Sequence, residues 1–384
     1  MVQKKDVSGS GNILVNRIVV EMDDVIHLLD PNATPFLRLS AEVGKESVDS
    51  QEFNWMEDDY ISYYDEISGA MLANETELVV ADPTKFAIGD VICCPDVTDY
   101  DHMLVIDVNV VTSTITVIRQ IGSEASAPAL ANASVIAKIG TAFEEGSDKA
   151  EILSVNPENL FNYNQIFKKT FGATESIKAT KLYGDDELAY NRKKAGIEFA
   201  IEMEKAMLFG RRGKIAVGPM AKKHPIRFMR GLIPFITTNV TDLGGAALTE
   251  PDWDDFLDTA FQNGNDTKYV LSSNAIMSYI NSFAKNKLQT VSKDKTYGIN
   301  VTQYIASGKT VYLINSKKIF DRAPWNKMAV VIDIDKIKTI NFRATKLITN
   351  VQGNGEDTEE DMYISEVSLK VVNEKCHAVL KGVA

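Results

Sequence analysis

The sequence is short of the features that mark most functional classes. Cysteine is nearly absent, with three in 384 residues, two of them adjacent (Cys93, Cys94) and the third near the end (Cys376). That is no disulfide framework, and it suits a reducing interior. Basic charge is in deficit: 41 Lys and Arg face 53 Asp and Glu, a formal net charge of -12. Non-specific nucleic-acid binding needs clustered cations that displace counterions, so the chain as a whole is not built to grip a polyanion. Long apolar runs are also missing. Nothing approaches the ~20 residues of a membrane span, and "ILVNRIVVEMDDVIHLL" near the start is broken by Arg17, Glu21, Asp23 and Asp24, which excludes a signal peptide. These absences predict a protein made in the cytosol and not exported by a secretory route, with no membrane partner.

Catalytic patterns are equally scarce. The four histidines, His27, His102, His224 and His377, lie far apart, and none sits in an HExxH or CxxC context. Cys376 and His377 are adjacent, but in an alternating strand they fall on opposite faces, so a structural reading is preferred to a nucleophile. Adjacent acids recur (Asp23 with Asp24, Asp58 with Asp59, Glu144 with Glu145, Asp185 with Asp186, Glu359 with Glu360). Two-metal and glycosidase sites need paired acids, but adjacent acids in loops and helix starts are usually solvated charge. "GRRGK" (210–214) lacks the spacing of a phosphate-cradling loop and reads as a helix end, and "SGSG" is linker material rather than a dinucleotide fingerprint. Cys93 and Cys94 read as small buried apolar residues. No catalytic residue, metal or cofactor is expected.

What is present is an ordinary globular composition, 45% hydrophobic and 24% charged, long enough for two or three cores. Residues 1–50 read as an extended N-terminal arm. "ATPFLRLS" (33–40) and "QEFNWMEDDYISYYDE" (51–66) place Pro35, Phe36, Leu37, Phe53 and Trp55 in stretches without clean periodicity. Such side chains want burial, and the expectation is that these five make inter-subunit contacts. Residues 75–140 change to short alternating apolar runs separated by turn signals, a small antiparallel barrel or sandwich. Residues 184–210 give the clearest helix. Acids load its first turn, Arg211 and Arg212 follow its end, and Gly210 is its stop. Its predicted core stripes include Leu188, Ala195, Phe199 and Met203, with Ile197, Ile201 and Leu208 on a second line. Strand and helix patterns alternate over 245–325, and 336–349 with 363–382 reads as a long antiparallel hairpin.

The block "NYNQIFKKTFGATESIKATKLYGDDELAYNRKKAGIEFAIEMEKAMLFG" (162–210) resembles tailed-bacteriophage major capsid proteins with the HK97-type fold, particularly the SU10-like group. The likeness extends to "ATPFLRLS", "EFNWMED", "RFMRGL", "KYVLSSNAIMSYINSF" and "VSLKVVNEKCHAVLKG", in that order. The resemblance implies an α+β capsid fold with five parts. These are an N-terminal arm (1–50), extended-loop stems (51–74 and 141–160) carrying the small inserted β-barrel-like module (75–140), a peripheral domain (161–244 and 326–384) with the spine helix, and an axial domain (245–325). It further implies self-assembly through pentamers and hexamers into an icosahedral or prolate shell. That shell encloses a phage dsDNA genome without sequence-specific binding, is located in the virion after assembly in the host cytoplasm, and has a portal and separate scaffolding or decoration proteins as partners. Relatives with a long cleaved scaffolding region differ from this chain, which predicts a separate scaffold or none and no maturation cleavage. The alternatives are an encapsulin-like compartment shell and a hydrolase with a β accessory domain.

Overall fold

The longest helix among the described residues, Glu187–Phe209, organises the larger part of the computed structural model. The structure describes residues 34–60, 62–97, 101–122, 127–147, 149–150, 156–180, 186–216, 224–283, 288–289, 301–306 and 309–384. Residues 1–33 of the expected arm, Asp185 and residues 217–223 therefore lie outside the described residues. The helix contains no proline and is stopped at Gly210, whose N–H donates to Ala206 O at 2.9 Å. The stop does not use a left-handed residue, since φ at Gly210 is -56°. A Cβ there would lie 2.5 Å from Ala206 O and 2.8 Å from Met229 O, so glycine is required by close backbone approach.

This spine helix packs on a four-stranded sheet with the order Lys45–Ser47, Ile337–Ile348, Thr358–Val371, Gln165–Thr174. Phe199 meets Phe167 edge-on at 6.4 Å and stacks on Tyr363 at 5.9 Å, joining helix to sheet through aromatic faces. Arg192 pairs with the buried Asp361 at 2.6 Å. The two long strands form the expected hairpin, with two register irregularities near Arg343.

The hairpin does not continue to residue 382 as the sequence pattern suggested. After Val371 the chain turns at Asn373, which adopts a left-handed conformation (φ 52°), passes through a short 3-10 turn Glu374–Cys376, and enters a different sheet as Ala378–Lys381. Cys376 and His377 are therefore both buried, not on opposite faces of one strand. That second sheet has seven strands, in the order Val240–Asp242, Ala378–Lys381, Ala329–Ile332, Thr267–Ser272, Lys309–Asn315, Val301–Ala306, Leu288–Gln289. Its mixed parallel and antiparallel pairing joins four strands of the 245–325 segment to three strands from outside it, Val240–Asp242, Ala329–Ile332 and Ala378–Lys381. Helix Glu250–Ala260 begins with a reciprocal capping box between Thr249 and Asp252 and buries Trp253, Phe256 and Leu257 against the sheet.

Residues 56–160 form a separate compact unit. Its six antiparallel strands run Tyr64–Glu66, Val135–Thr141, Asp90–Cys93, His102–Asn109, Thr114–Ile118, Glu77–Val79. The two edges meet: Ile67 bridges Val80, with Ser68 N–H to Val79 O at 2.9 Å and Ala81 N–H to Glu66 O at 3.0 Å. Closure of a sheet removes exposed edges and encloses a core, here of Ile92, Met103, Val105, Ile115, Val117 and Ile136. The strands start at Tyr64, eleven residues before the expected 75–140 module. The chain leaves the larger unit through Glu52–Glu57 and returns through Glu158–Tyr163, which pair with each other.

Candidate functional site

The segment "ATPFLRLS" is not an extended arm where it is described. Pro35–Val43 is an α-helix, with proline at the first helical position and Gly44 (φ 106°) after the last. Thr34 makes no side-chain capping bond. The cap comes from the spine helix: Glu204 Oε2 accepts from Leu37 N–H at 3.1 Å. A carboxyl group 167 residues away thus satisfies an N–H that helix geometry leaves unpaired. Glu204 is fully buried. Burial pushes its carboxyl up to about 8, against the opposing pull of the Leu37 and Phe36 amides and of Arg38.

The expected inter-subunit role of Phe36, Phe53 and Trp55 is corrected by their surroundings. Within a single copy Phe36 is 0% exposed and Phe53 and Trp55 are each 8% exposed. Phe53 and Trp55 alternate inward along Glu52–Glu57, stack on each other at 5.7 Å, and Trp55 meets Phe235 at 5.9 Å. Their own chain supplies the cover. Pro35 is buried as well and Leu37 half-buried. On the spine helix Leu188, Ala195, Phe199 and Leu208 are buried, while Ile197, Ile201 and Met203 are only half-buried; Met207 and Glu204 take the remaining inner positions. Sequence reasoning did not single out Glu204, and nothing local to it signals its burial.

The residues weighed for chemistry do not converge. Among the described residues no group of three His, Cys, Asp or Glu is placed to hold a metal ion. Cys93, Cys94 and Cys376 are buried free thiols, and burial raises the first two above the ordinary thiol value, away from the reactive thiolate. His377 is held neutral: burial, then the positive charges of Lys268 and Lys336, lower it to about 3. Its Nδ1 accepts from Asp333 N–H at 3.2 Å. Lys268 is buried beside it and donates to Ala260 O, Asn263 O and Cys376 O at 2.7, 2.7 and 2.6 Å. That ammonium clips a helix end, a turn and the C-terminal crossover together, and three acceptors leave it no free proton donor for a substrate. Asp58, Asp59, Glu144 and Glu145 are on the surface or near it, and Glu359 pairs with Lys178. Among the described residues no helix is long and apolar enough to cross a membrane.

The described parts are a spine helix on a long hairpin, a seven-stranded mixed sheet and a β module reached through paired strands. The family model for the SU10 major capsid protein matches residues 6–384. The chain belongs to the SU10 major capsid protein family. A major capsid protein of Pseudomonas phage PaMx41 is 25% identical over 300 residues, covering 70% of each chain. The capsid of a native GTA particle superposes with a TM-score of 0.51 at 7% identity, covering 98% of this chain and 99% of that one. A chain of Mycobacterium phage Cain gives 0.47 at 10% identity over 98% of each. The fold of this SU10-family protein is the HK97-type α+β capsid fold, its role is to form a capsid shell, and its place is the virion capsid.

Proposed function

We propose that this protein forms the wall of a phage head as pentamers and hexamers, arranged in an icosahedral or prolate shell around double-stranded DNA. The observation that carries the reading is the family match over nearly the whole length, arm to C-terminus. The mechanism is physical. Hundreds of copies each contribute several interfaces, and stability comes from their multiplicity; a single standard interface of about 1,600 Å² ranges from micromolar to picomolar affinity. The arm helix locks to its own spine, the 245–325 segment gathers around capsomer axes, and the inserted module clamps neighbouring subunits. Portal and scaffolding or decoration proteins complete the head, which assembles in the host cytoplasm.

Electron microscopy of the expressed protein tests this directly. Closed shells of capsomers are expected, whereas a 42.4 kDa monomer on a sizing column supports the hydrolase alternative and a shell loaded with an enzyme cargo supports the encapsulin one.

A further inference from the structure

Charge is segregated along this chain. Residues 56–160 hold 19 Asp and Glu against 4 Lys and Arg, leaving 34 acidic against 37 basic in the rest, so the module stands at -15 and the remainder at +3. Three of the module's four cations are consumed within it, Lys85 on Asp65 at 2.7 Å, Arg119 on Asp101 at 2.5 Å and Lys138 on Asp90 at 2.7 Å. Its surface is therefore almost purely acidic. It is also unusually apolar. Of the 21 exposed large hydrophobic side chains among the described residues, 14 lie in this unit, Val111 at the tip of a hairpin being 94% exposed.

Strand register orders both properties on the outward side of the six-stranded sheet. Glu77 stands opposite Thr116, and Thr116 opposite Asp107, while Leu78, Ile115 and Val117 alternate into the core. Two residues along, Ile118 stands opposite Leu104 and Leu104 opposite Val91. An acidic row thus runs beside an apolar row on one solvent-facing surface. A surface of this kind fits a basic partner that also exposes apolar side chains.

The same chain carries one. Between Lys205 and Asp242 there is no Asp or Glu. The two-stranded ribbon Gly213–Ile215 with Ile226–Phe228 pairs Lys214 with Arg227 and Ile215 with Ile226. Arg211, Lys214, Ile215 and Phe228 are exposed.

We propose that, in the assembled shell, the outward face of the 56–160 module in one copy docks on the Gly213–Ile215 and Ile226–Phe228 ribbon of a second copy. The proposal rests on the shell-forming role. A second copy fits better than nucleic acid, because a phosphate backbone rewards only the cations and leaves Ile215 and Phe228 without a partner. The acidic complement is moreover present in every subunit at equal number. The contact is heterologous, one surface against a different one, and such contacts propagate into rings and closed shells.

The test is a charge swap in the full chain: Glu77→Lys with Asp107→Lys, Lys214→Glu with Arg227→Glu, and all four together. Shell yield is read by sedimentation and electron microscopy, with wild-type shells as the control for the shell-forming role itself. Each reversal is expected to lower yield roughly tenfold or more by placing like charges together, and the fourfold variant to recover to within about threefold of wild type, since contacting sites do not add. A reversal without effect, or a fourfold variant no better than its worse parent, overturns the proposal. So does a ribbon reversal that keeps shell yield and loses only retained DNA. A readout independent of variant folding is zero-length carboxyl-to-amine cross-linking of wild-type shells mixed from light and heavy-isotope subunits. Light-to-heavy peptides joining the module's carboxylates to Lys214 are expected, and cross-links confined to one isotope label overturn the inference.

Discussion

Glu204 makes the docking of the arm helix depend on pH, with a sign that follows from its burial. Its carboxyl sits near 8 in the folded chain against an ordinary 4.5, so the docked state holds a proton that the released state gives up across that interval. A raised carboxyl stabilises docking fully below about pH 4.5, and the contribution is lost as pH rises through about 8. Each pH unit inside the window is worth about 1.4 kcal/mol. From pH 5 to pH 7.5 docking should therefore weaken by about 3 kcal/mol, more than a hundredfold in the released population. Hydrogen exchange at the amides of Phe36 to Val43 reports that population. Glu204→Gln supplies the reference, because a neutral amide oxygen still accepts from Leu37 N–H and does not titrate. Wild-type protection, after correction for intrinsic exchange, should fall steeply between pH 5 and pH 7.5, and that of Glu204→Gln should stay level. Parallel profiles for the two proteins refute the reasoning, and would mean that the amides at the helix N-terminus outweigh desolvation and hold Glu204 ionised.

Two further substitutions follow from buried charge. Arg119→Ala leaves Asp101, 0% exposed at its side chain, without its partner and also frees Pro128 O. A loss of about 3–5 kcal/mol is expected, seen as faster proteolysis inside residues 56–160 while Glu187–Phe209 stays protected; unchanged cleavage counts against the pairing. Lys268→Met strands the buried carbonyls of Ala260 and Cys376 and the partly buried carbonyl of Asn263 at once, at about 1–3 kcal/mol for each that finds no new partner. The denaturant midpoint of the chain should drop well beyond the range of ordinary surface substitutions, and a midpoint within that range argues that water replaces the ammonium.

How much of this was legible beforehand depends on whether an element's determinants are local. The spine helix was visible because the residues that form it, its acidic start and its glycine stop lie within one stretch, and the inserted module because alternation and turn residues repeat at short spacing. The capping box of Thr249 with Asp252 is similarly self-contained. The arm helix was invisible for the opposite reason. Nine residues are marginal as an isolated helix, and its N-terminal partner is a side chain on another element. The C-terminal crossover was hidden in the same way: "SLKVVNEKCHAVLKG" alternates smoothly enough to suggest a single strand, and what divides it is the left-handed Asn373 followed by a buried ammonium that holds Cys376 O.

The same distinction decides what the apolar arm residues do. Read locally, Phe36, Phe53 and Trp55 lack a core, and a neighbouring subunit is the nearest explanation for unmet burial. Once the spine helix supplies both Glu204 and an apolar surface, and Phe235 meets Trp55, their burial is complete within one copy. Side chains already out of water have little further hydrophobic free energy to contribute to association. The apolar area available for joining copies must then lie where exposure persists, and among the described residues that is chiefly the acidic module. Assembly would accordingly be more sensitive to substitutions at Ile106, Val111 or Ile118 than to conservative changes at Phe53, a ranking that shell yield measured beside monomer stability checks in a single series.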